Sequence, residues 1–108
     1  MAKTYKPPQL VAEAAQRALK WIDDGKAGEG FTAVGRARAN QLAKQIAVSE
    51  EVIQRMRSYF ARHQVDKQAE GFKAGEKNFP TPGRVAWDAW GGDPAETWVN
   101  NLTLESDK

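Results

Sequence analysis

The stretch SEEVIQRMRSYFARH, residues 49–63, decides the fold class. Its apolar residues recur at spacings of three and four, the period of one face of an α-helix. Ser49 predicts the N-cap, and the two glutamates after it are favourable beside the positive end of the helix dipole. We therefore predict a helix from Glu50 to about His63. Its expected inward stripe is Val52, Ile53, Met56, Tyr59 and Phe60.

Helical patterns precede this stretch. A first helix is predicted from about Pro8 to Asp24, since a proline suits the first helical position and Gly25 suits the residue past the end. Its expected buried residues are Leu10, Ala14, Ala18, Trp21 and Ile22. A second helix is predicted from Ala33 to about Ile46 with Thr32 as its cap and close packing at Gly35. Its expected inward residues are Val34, Ala37, Leu42 and Ile46.

Two shorter helices are expected after the central stretch. Residues 64–80 form a long connection, which we expect three apolar side chains to pin to the core: Val65, Phe72 and Phe79. A short helix begins at Thr81 and Pro82 and ends at Gly91 and Gly92. Asp93 and Pro94 then predict the cap and first position of a last helix. That helix carries Trp98, Val99 and Leu102.

These elements predict an all-α fold, a compact four- to five-helix domain with a central helix-turn-helix-like hairpin. No segment shows period-two alternation, so we predict no sheet. Residues 1–7 are expected to be an N-terminal tail, residues 8–103 a single helical domain, and residues 104–108 a frayed C-terminal tail.

The amino-acid composition argues against several classes of function. The chain of 108 residues has no cysteine and one histidine, which argues against zinc-thiolate and His-rich metal sites, and we expect no cofactor. Its apolar runs are too short to span a membrane, and its N-terminus lacks the apolar region of a signal peptide. A cytoplasmic protein is the simplest expectation. The loop GKAGEG, residues 25–30, follows no strand, so we predict no phosphate-binding loop there.

Charge is unevenly distributed along the chain. Residues 26–67 hold eight basic and four acidic side chains, whereas residues 88–108 hold one basic and five acidic. This polarity is typical either of solvated helix faces with a polar tail or of a basic binding surface. For the second alternative, we predict a nucleic-acid-binding face that consists of Arg36, Arg38, Lys44, Arg55, Arg57 and Arg62.

The stretch QLAKQIAVSEEVIQRM, residues 41–56, has the pattern of a helix-turn-helix. In DNA-binding forms, the N-terminal residues of the second helix contact bases in the major groove. Here these residues are Ser49, Glu50, Glu51 and Gln54. Two glutamates are unfavourable near phosphates, so an ordinary helical hairpin remains the alternative.

Two further groups could carry function. His63 and Asp66 are spaced as a general base and its orienting carboxylate, but no nucleophile or metal ligand accompanies them, so a capping or salt-bridge network is the better interpretation. Trp87 and Trp90 lie three apart on one helical face. They can form core or, if exposed, stack on unpaired bases.

The segments YFARHQVDK (residues 59–67) and AWDAWGGD (residues 86–93) together resemble a small module of tailed bacteriophages, including cyanophages. The resemblance covers roughly residues 10–100. The module occurs free-standing or fused within phage proteins similar to prohead proteases, and it has no settled activity. It implies a viral protein of the infected host's cytoplasm, engaged in head assembly or DNA handling. Its signature positions, of unknown role, are His63, Asp66, Trp87, Trp90 and Asp93.

Three hypotheses of different class follow. The first is a non-enzymatic, phage-encoded nucleic-acid-binding protein, with DNA as the first candidate. The second is a protein–protein interaction module of phage head assembly or host takeover, docking through the tryptophan segment or the long connection. The third is an enzyme that uses His63 and Asp66, and we do not favour it. No membrane partner is expected.

Overall fold

Five α-helices form most of the chain, which confirms the predicted all-α class. The computed structural model describes residues 3–28 and 31–107, so part of the loop predicted at residues 25–30 lies outside the described residues. The helices are α1 (Gln9–Asp23), α2 (Ala33–Ala43), α3 (Glu50–Arg62), α4 (Pro82–Ala89) and α5 (Gly92–Asn101). Two 3-10 helices cover Gln64–Gln68 and Glu105–Asp107. None of the helices in the described ranges is long and apolar enough to cross a membrane.

Three of the helices described here have a side chain that caps their N-terminus. Thr32 Oγ1 accepts the Gly35 N–H at the start of α2, and Ser49 Oγ accepts the Val52 N–H at the start of α3. Both predicted caps are confirmed. Thr81 caps α4 in the same way, by accepting the N–H of Arg84. Each bond satisfies a backbone donor that has no partner within its helix.

The α1 helix occupies the centre of the fold and packs against α2, α4 and α5. Its buried residues are Val11, Ala12, Ala14, Ala15, Ala18 and Ile22. The prediction for Leu10 was wrong, because 64% of that residue is exposed. Several neighbours approach an alanine-rich surface here, and small side chains allow this close approach. Val11, one residue further on, takes the inward position at the N-terminal end.

The α2 helix is shorter than predicted and turns a different face inward. It ends at Ala43, and Gln45 just beyond it has a left-handed backbone with φ of 53°. Its buried residues are Gly35, Ala39 and Leu42. Of the residues expected inside, Leu42 is buried as predicted, whereas Val34, Ala37 and Ile46 are exposed. The helix presents small residues to α1, where Ala39 packs with Ala18 and Ala89. Gly35 is packed as predicted, against the ring of Phe31.

The helix pair expected as a hairpin is only partly formed. Leu42 of α2 shares one core with Ile53 and Met56 of α3, but α2 packs mainly on α1 and α3 mainly on α5. Between the two helices, β2 (Val48–Ser49) pairs antiparallel with β1 (Thr4–Tyr5). This two-residue ladder was not predicted, because it is too short to show an alternating pattern.

The C-terminal segment is docked on α3, contrary to the predicted frayed tail. Leu104 is fully buried, and its N–H donates to Asp107 Oδ2 at 3.0 Å. The N–H of Ser106 donates to Glu50 Oε1, and Gln54 Nε2 donates to the hydroxyl of Ser106. The apolar side chain of Leu104 anchors the segment, and the polar contacts fix its course across α3.

Two glycines join α4 to α5. Gly91 is the N-cap of α5 with φ of 105°, and a Cβ there would lie 2.4 Å from Ala95 Cβ and 2.9 Å from Val11 Cγ1. The backbone therefore passes closer to α1 than any other residue type allows. The prediction that Asp93 caps α5 was wrong, because this carboxylate instead accepts the Trp87 Nε1–H at 2.9 Å.

Two phenylalanines hold the long connection onto the helices. The guanidinium of Arg84 lies 5.3 Å from the ring centroids of both Phe72 and Phe79, and its Nη1 donates to the Phe72 carbonyl. The third predicted anchor, Val65, is 65% exposed, since it lies on the outer side of a 3-10 helix.

Arg84 also faces the buried Asp88 at 3.3 Å, and burial raises the pKa of this carboxyl against the opposing effect of Arg84.

Candidate functional site

Three aromatic side chains stack where α3 meets the end of α4. The rings of Tyr59 and Trp90 are nearly parallel, with centroids 4.8 Å apart and an 11° interplanar angle. His63 stacks with Tyr59 at 4.3 Å. Tyr59 and His63 lie one turn apart on one face of α3, and Trp90 is the C-cap of α4. The result is a fixed aromatic column of three rings.

The two motifs that carry the phage resemblance contact each other beside this column. Lys67 Nζ lies 3.1 Å from Asp93 Oδ1 and 4.7 Å from the centroid of the Trp87 ring. Asp93 also accepts the indole N–H of Trp87, and this tryptophan is 1% exposed. These contacts hold the end of α3 and the following 3-10 helix against α4 and α5. Trp87, Asp93 and Lys67 thus have structural roles.

His63 and Asp66 do form a pair. Their Nδ1 and Oδ2 atoms are 3.0 Å apart, and both side chains are partly exposed. This is the geometry of a general base with its orienting carboxylate, but catalysis also needs a nucleophile or a metal. The nearby hydroxyl of Thr32 is used as the cap of α2. Within the described ranges, no group of three or more potential metal ligands occurs. Asp66 here orients the imidazole stacked on Tyr59.

Three of the predicted basic residues surround the outer end of the column, and we call them the basic cluster: Arg38, Arg55 and Arg62. The guanidinium carbon of Arg38 lies 5.6 Å from the Trp90 ring centroid, which is cation–π range. Arg55 and Arg62 line one groove together with Trp90. Burial lowers the pKa of Arg38, and the positive charge of Arg55 lowers it further. Arg38 of α2 and Arg55 of α3 thus lie beside the same tryptophan, Trp90.

The positive charge of this cluster is poorly neutralised. Arg38 Nη1 donates to the neutral Gln41, while its buried Nε has no hydrogen-bond partner among the described residues. Arg55 pairs with Glu51 at 2.7 Å, but both side chains are mostly exposed. Exposed pairs of this kind contribute roughly 0–1 kcal/mol, so an incoming anion can displace Glu51 at small cost.

Two adjacent depressions lie beside the cluster. The first, here called the outer groove, has a volume of about 410 Å³ and is lined by Glu51, Gln54, Arg55, Ser58, Arg62 and Trp90. The second, here called the inner cavity, has a volume of about 530 Å³. Aromatic and small residues form its walls: Phe31, Gly35, Tyr59, Pro82, Ala86 and Trp90. Arg62 and Trp90 line both depressions, so the two are adjacent.

The other predicted basic residues are not part of this cluster. Arg57 Nε donates to the Val99 carbonyl at 2.8 Å and Nη2 donates to the Leu102 carbonyl at 2.6 Å. Its Nη1 pairs with Asp107. Arg57 therefore anchors the C-terminal segment and is withdrawn from any nucleic-acid interface. Arg36 is exposed and lies 3.9 Å from Asp23, outside both depressions.

Lys44 is exposed just after α2 and lines neither depression. The N-terminal residues of α3 expected to contact bases are also engaged elsewhere. Glu50 and Gln54 bond to Ser106 in the C-terminal segment, which lies across this part of the helix. These bonds count against the helix-turn-helix form of DNA binding at Glu50, whereas Glu51 and Gln54 remain exposed.

Sequence reasoning missed the part that Tyr59 has in the site. Arg55, Tyr59 and Arg62 are spaced by four and three, so their common helical face was recoverable from the sequence. Phe31 and Arg38, by contrast, reach the site through packing of α2 against other helices. No local pattern predicts that approach.

Comparison with known proteins indicates no function for this arrangement of residues. The phage-module resemblance of residues 59–67 and 86–93 therefore stays a prediction, and function has to be inferred from the residues themselves. No protein-family model, no curated protein and no solved structure matches the chain.

Proposed function

We propose that this chain is a non-enzymatic nucleic-acid-binding protein, with DNA as the first candidate. The observation that supports it most is that three arginines from two helices meet at Trp90: the Arg38 guanidinium lies 5.6 Å from its ring centroid, and Arg55 and Arg62 line the outer groove with it. Like charges repel, so such a cluster is stabilised by an anion that binds to it. Guanidinium groups match phosphate oxygens in geometry.

The groove beside the arginines favours a ligand that carries several linked phosphates over a single small anion. Arg55 and Arg62 line a depression of about 410 Å³ together with Trp90, and the guanidinium of Arg38 lies over the Trp90 ring. A phosphodiester backbone places successive charges along such a path. The phage context and the host cytoplasm remain inferences from the motif resemblance and agree with a DNA-handling role.

The test is fluorescence anisotropy with labelled single-stranded and duplex DNA at about 50 and 200 mM salt. Three phosphate contacts predict a log–log salt slope of roughly −2.7 for duplex DNA, a weakening of about 40-fold across this range. For single strands the corresponding slope is roughly −2.1. Arg38→Ala is expected to reduce both slopes, whereas Lys77→Ala, which removes an exposed charge outside the site, is the matched control. Absence of binding at 50 mM salt would overturn the proposal.

Protein docking is the second candidate, because several large apolar residues are exposed: Leu10, Val34, Ile46 and Val65. Trp90 and Trp98 are also only partly buried. Exposed apolar residues are a feature of protein interfaces where they form one patch. A phage or host protein bound there would resist salt, because apolar contacts do not release counterions. The same salt series therefore separates the two functions.

A further inference from the structure

The inner cavity has largely apolar walls and one side chain with a permanent charge. Its volume of about 530 Å³ lies within the roughly 300–1,000 Å³ of small-molecule sites. Phe31, Pro82 and Ala86 provide apolar surface, and Gly35 adds no side chain to fill the space. Among the described residues that line the cavity, only Arg62 carries a charge at every physiological pH. Apolar surface and a cation thus meet in one cavity.

The charge of Arg62 is not paired within residues 3–28 and 31–107. Its guanidinium forms neither an ion pair nor a hydrogen bond with another residue of these ranges. No carboxylate from the same ranges lines the cavity. His63 also lines it, but the carboxylate of Asp66, 3.0 Å from the His63 Nδ1, is not part of the lining. The lining therefore attracts an anion and offers no competing negative charge.

We propose that the inner cavity binds a small organic anion, whose apolar body lies against the walls and whose charged group contacts Arg62. This site goes beyond the proposed nucleic-acid-binding function, because its ligand is a separate small molecule. Carboxylate and sulfonate oxygens accept hydrogen bonds from the N–H groups of a guanidinium. The apolar body is stabilised because it leaves water for the surface of Phe31, Pro82 and Ala86.

The lining favours this class of ligand over other small molecules. A neutral apolar ligand would displace water from Arg62 without replacing its hydrogen bonds, which costs free energy. A cationic ligand would be repelled by the same guanidinium. An inorganic anion would pair with Arg62 but would leave the apolar walls in contact with water. A ligand that has both an apolar body and one anionic group matches both parts of the cavity.

The experiment compares two fluorescent probes that differ in one group. The first is 1-anilinonaphthalene-8-sulfonate, and the second is N-phenyl-1-naphthylamine, which has the same rings without the sulfonate. The fluorescence of both probes rises in an apolar environment, so titration gives a dissociation constant for each. The ratio of the two constants is the sulfonate preference, and its change in a protein variant isolates the contact made by the anionic group. We expect saturable binding of the sulfonate probe to the folded protein.

Protein variants test the two parts of the cavity separately. Arg62→Ala should lower the sulfonate preference on the order of tenfold through loss of a charge-assisted contact. Arg55→Ala is its control and should leave the preference unchanged, because Arg55 is an exposed arginine of α3 that does not line the cavity. Ala86→Leu fills the cavity and should weaken both probes on the order of tenfold.

The exposed Ala61 of α3 provides the control for added bulk, since Ala61→Leu lies outside the cavity lining and should bind both probes as the unmodified protein does. Near-ultraviolet circular dichroism reports whether each variant keeps its native packing. Arg62 is exposed, so Arg62→Ala tests the proposal even if Ala86→Leu fails to fold.

Three results would overturn the proposal. The first is no saturable binding of the sulfonate probe to the unmodified protein. The second is an equal change of sulfonate preference in Arg62→Ala and Arg55→Ala, which would assign the preference to overall positive charge. The third is unchanged binding of both probes by a natively packed Ala86→Leu. DNA binding is measured separately by anisotropy, so its absence would overturn the proposed function and leave this inference standing.

Discussion

Arg55 and Arg57 lie two residues apart on α3 and have opposite surroundings. Arg57 is bonded to the carbonyls of Val99 and Leu102, whereas Arg55 is exposed and, within residues 3–28 and 31–107, forms an ion pair only with Glu51. Two residues are about 200° apart around a helix, so the two arginines point to opposite faces. We call these the clamp face, covered by α5 and the C-terminal segment, and the open face, which carries the basic cluster. Two neighbouring arginines of one basic segment can thus differ in role: Arg57 is bound within the fold, and Arg55 is exposed to a ligand.

The largest expected effect tests the junction on which both faces depend. Gly91→Ala should lower the free energy of unfolding by about 4 kcal/mol, because the new Cβ overlaps Ala95 and the backbone has positive φ. Chemical denaturation measures it. Gly75→Ala is the control, since Gly75 has φ of 89° in open space and should lose only about 1 kcal/mol. Equal losses would show that the junction is not tightly packed.

The next largest effect breaks the clamp face. Arg57→Ala should lower the free energy of unfolding by about 2–3 kcal/mol, because it removes charge-assisted hydrogen bonds to two carbonyl groups at the end of α5. The folded variant should keep the DNA affinity of the unmodified protein. Urea denaturation and anisotropy check the two halves of this prediction. A variant of unchanged stability would contradict the assignment of Arg57 to the clamp.

Low pH should weaken the contacts of the C-terminal segment on the clamp face. The hydrogen bond from the Leu104 N–H, together with Arg57, lowers the pKa of Asp107 below its ordinary value of 3.8. Its stabilising contribution is therefore complete above pH of about 4 and is lost as the pH falls through the lowered pKa. Protection factors for amide hydrogen exchange at residues 102–107, which account for the intrinsic slowing of exchange in acid, should fall over that range. Asp107→Asn should remove this pH dependence, and an unchanged profile would show that other carboxylates cause it.

The smallest effect on stability is expected on the open face. Arg55→Ala should change the free energy of unfolding by less than about 0.5 kcal/mol, because its one recorded partner is an exposed glutamate. Thermal unfolding followed by circular dichroism checks it against Arg57→Ala. A loss as large as that of Arg57→Ala would contradict the difference between the two faces.

The elements of the fold were predictable where local chemistry decides them. Thr32 and Ser49 cap helices because their side chains accept backbone N–H groups three residues on, and this requires no knowledge of the fold. The strongly periodic stripe of α3 was also correct. Trp87 was identified as a core candidate for its size, and it is buried.

Packing partners were not predictable in the same way. The inward face of α2 was predicted correctly at Leu42 but not elsewhere: bulky Val34 and Ile46 were expected inside, whereas the small Ala39 packs against Ala18 of α1. The C-terminal segment was expected to fray because its sequence is polar, yet Leu104 anchors it. Long-range contacts decide both cases.

The candidate site was predictable only as a set of charges. Six basic residues were named, and three of them surround Trp90 in one cluster. Arg57 was included because a sequence shows that a residue is basic but not which carbonyl groups it faces. The inner cavity had no local sequence pattern, since it forms between residues of α2, α3 and α4 that are distant in the chain.

The most direct test of the central claim is the salt dependence of single-stranded DNA binding for the unmodified protein, Arg55→Ala and Arg57→Ala, at a temperature at which all three are folded. We predict a log–log slope of roughly −2.1 for the unmodified protein and for Arg57→Ala. Arg55→Ala should make it shallower by about 0.7, the share of one phosphate contact. A flat slope, or an equal change in both variants, would contradict the assignment of nucleic-acid binding to the open face.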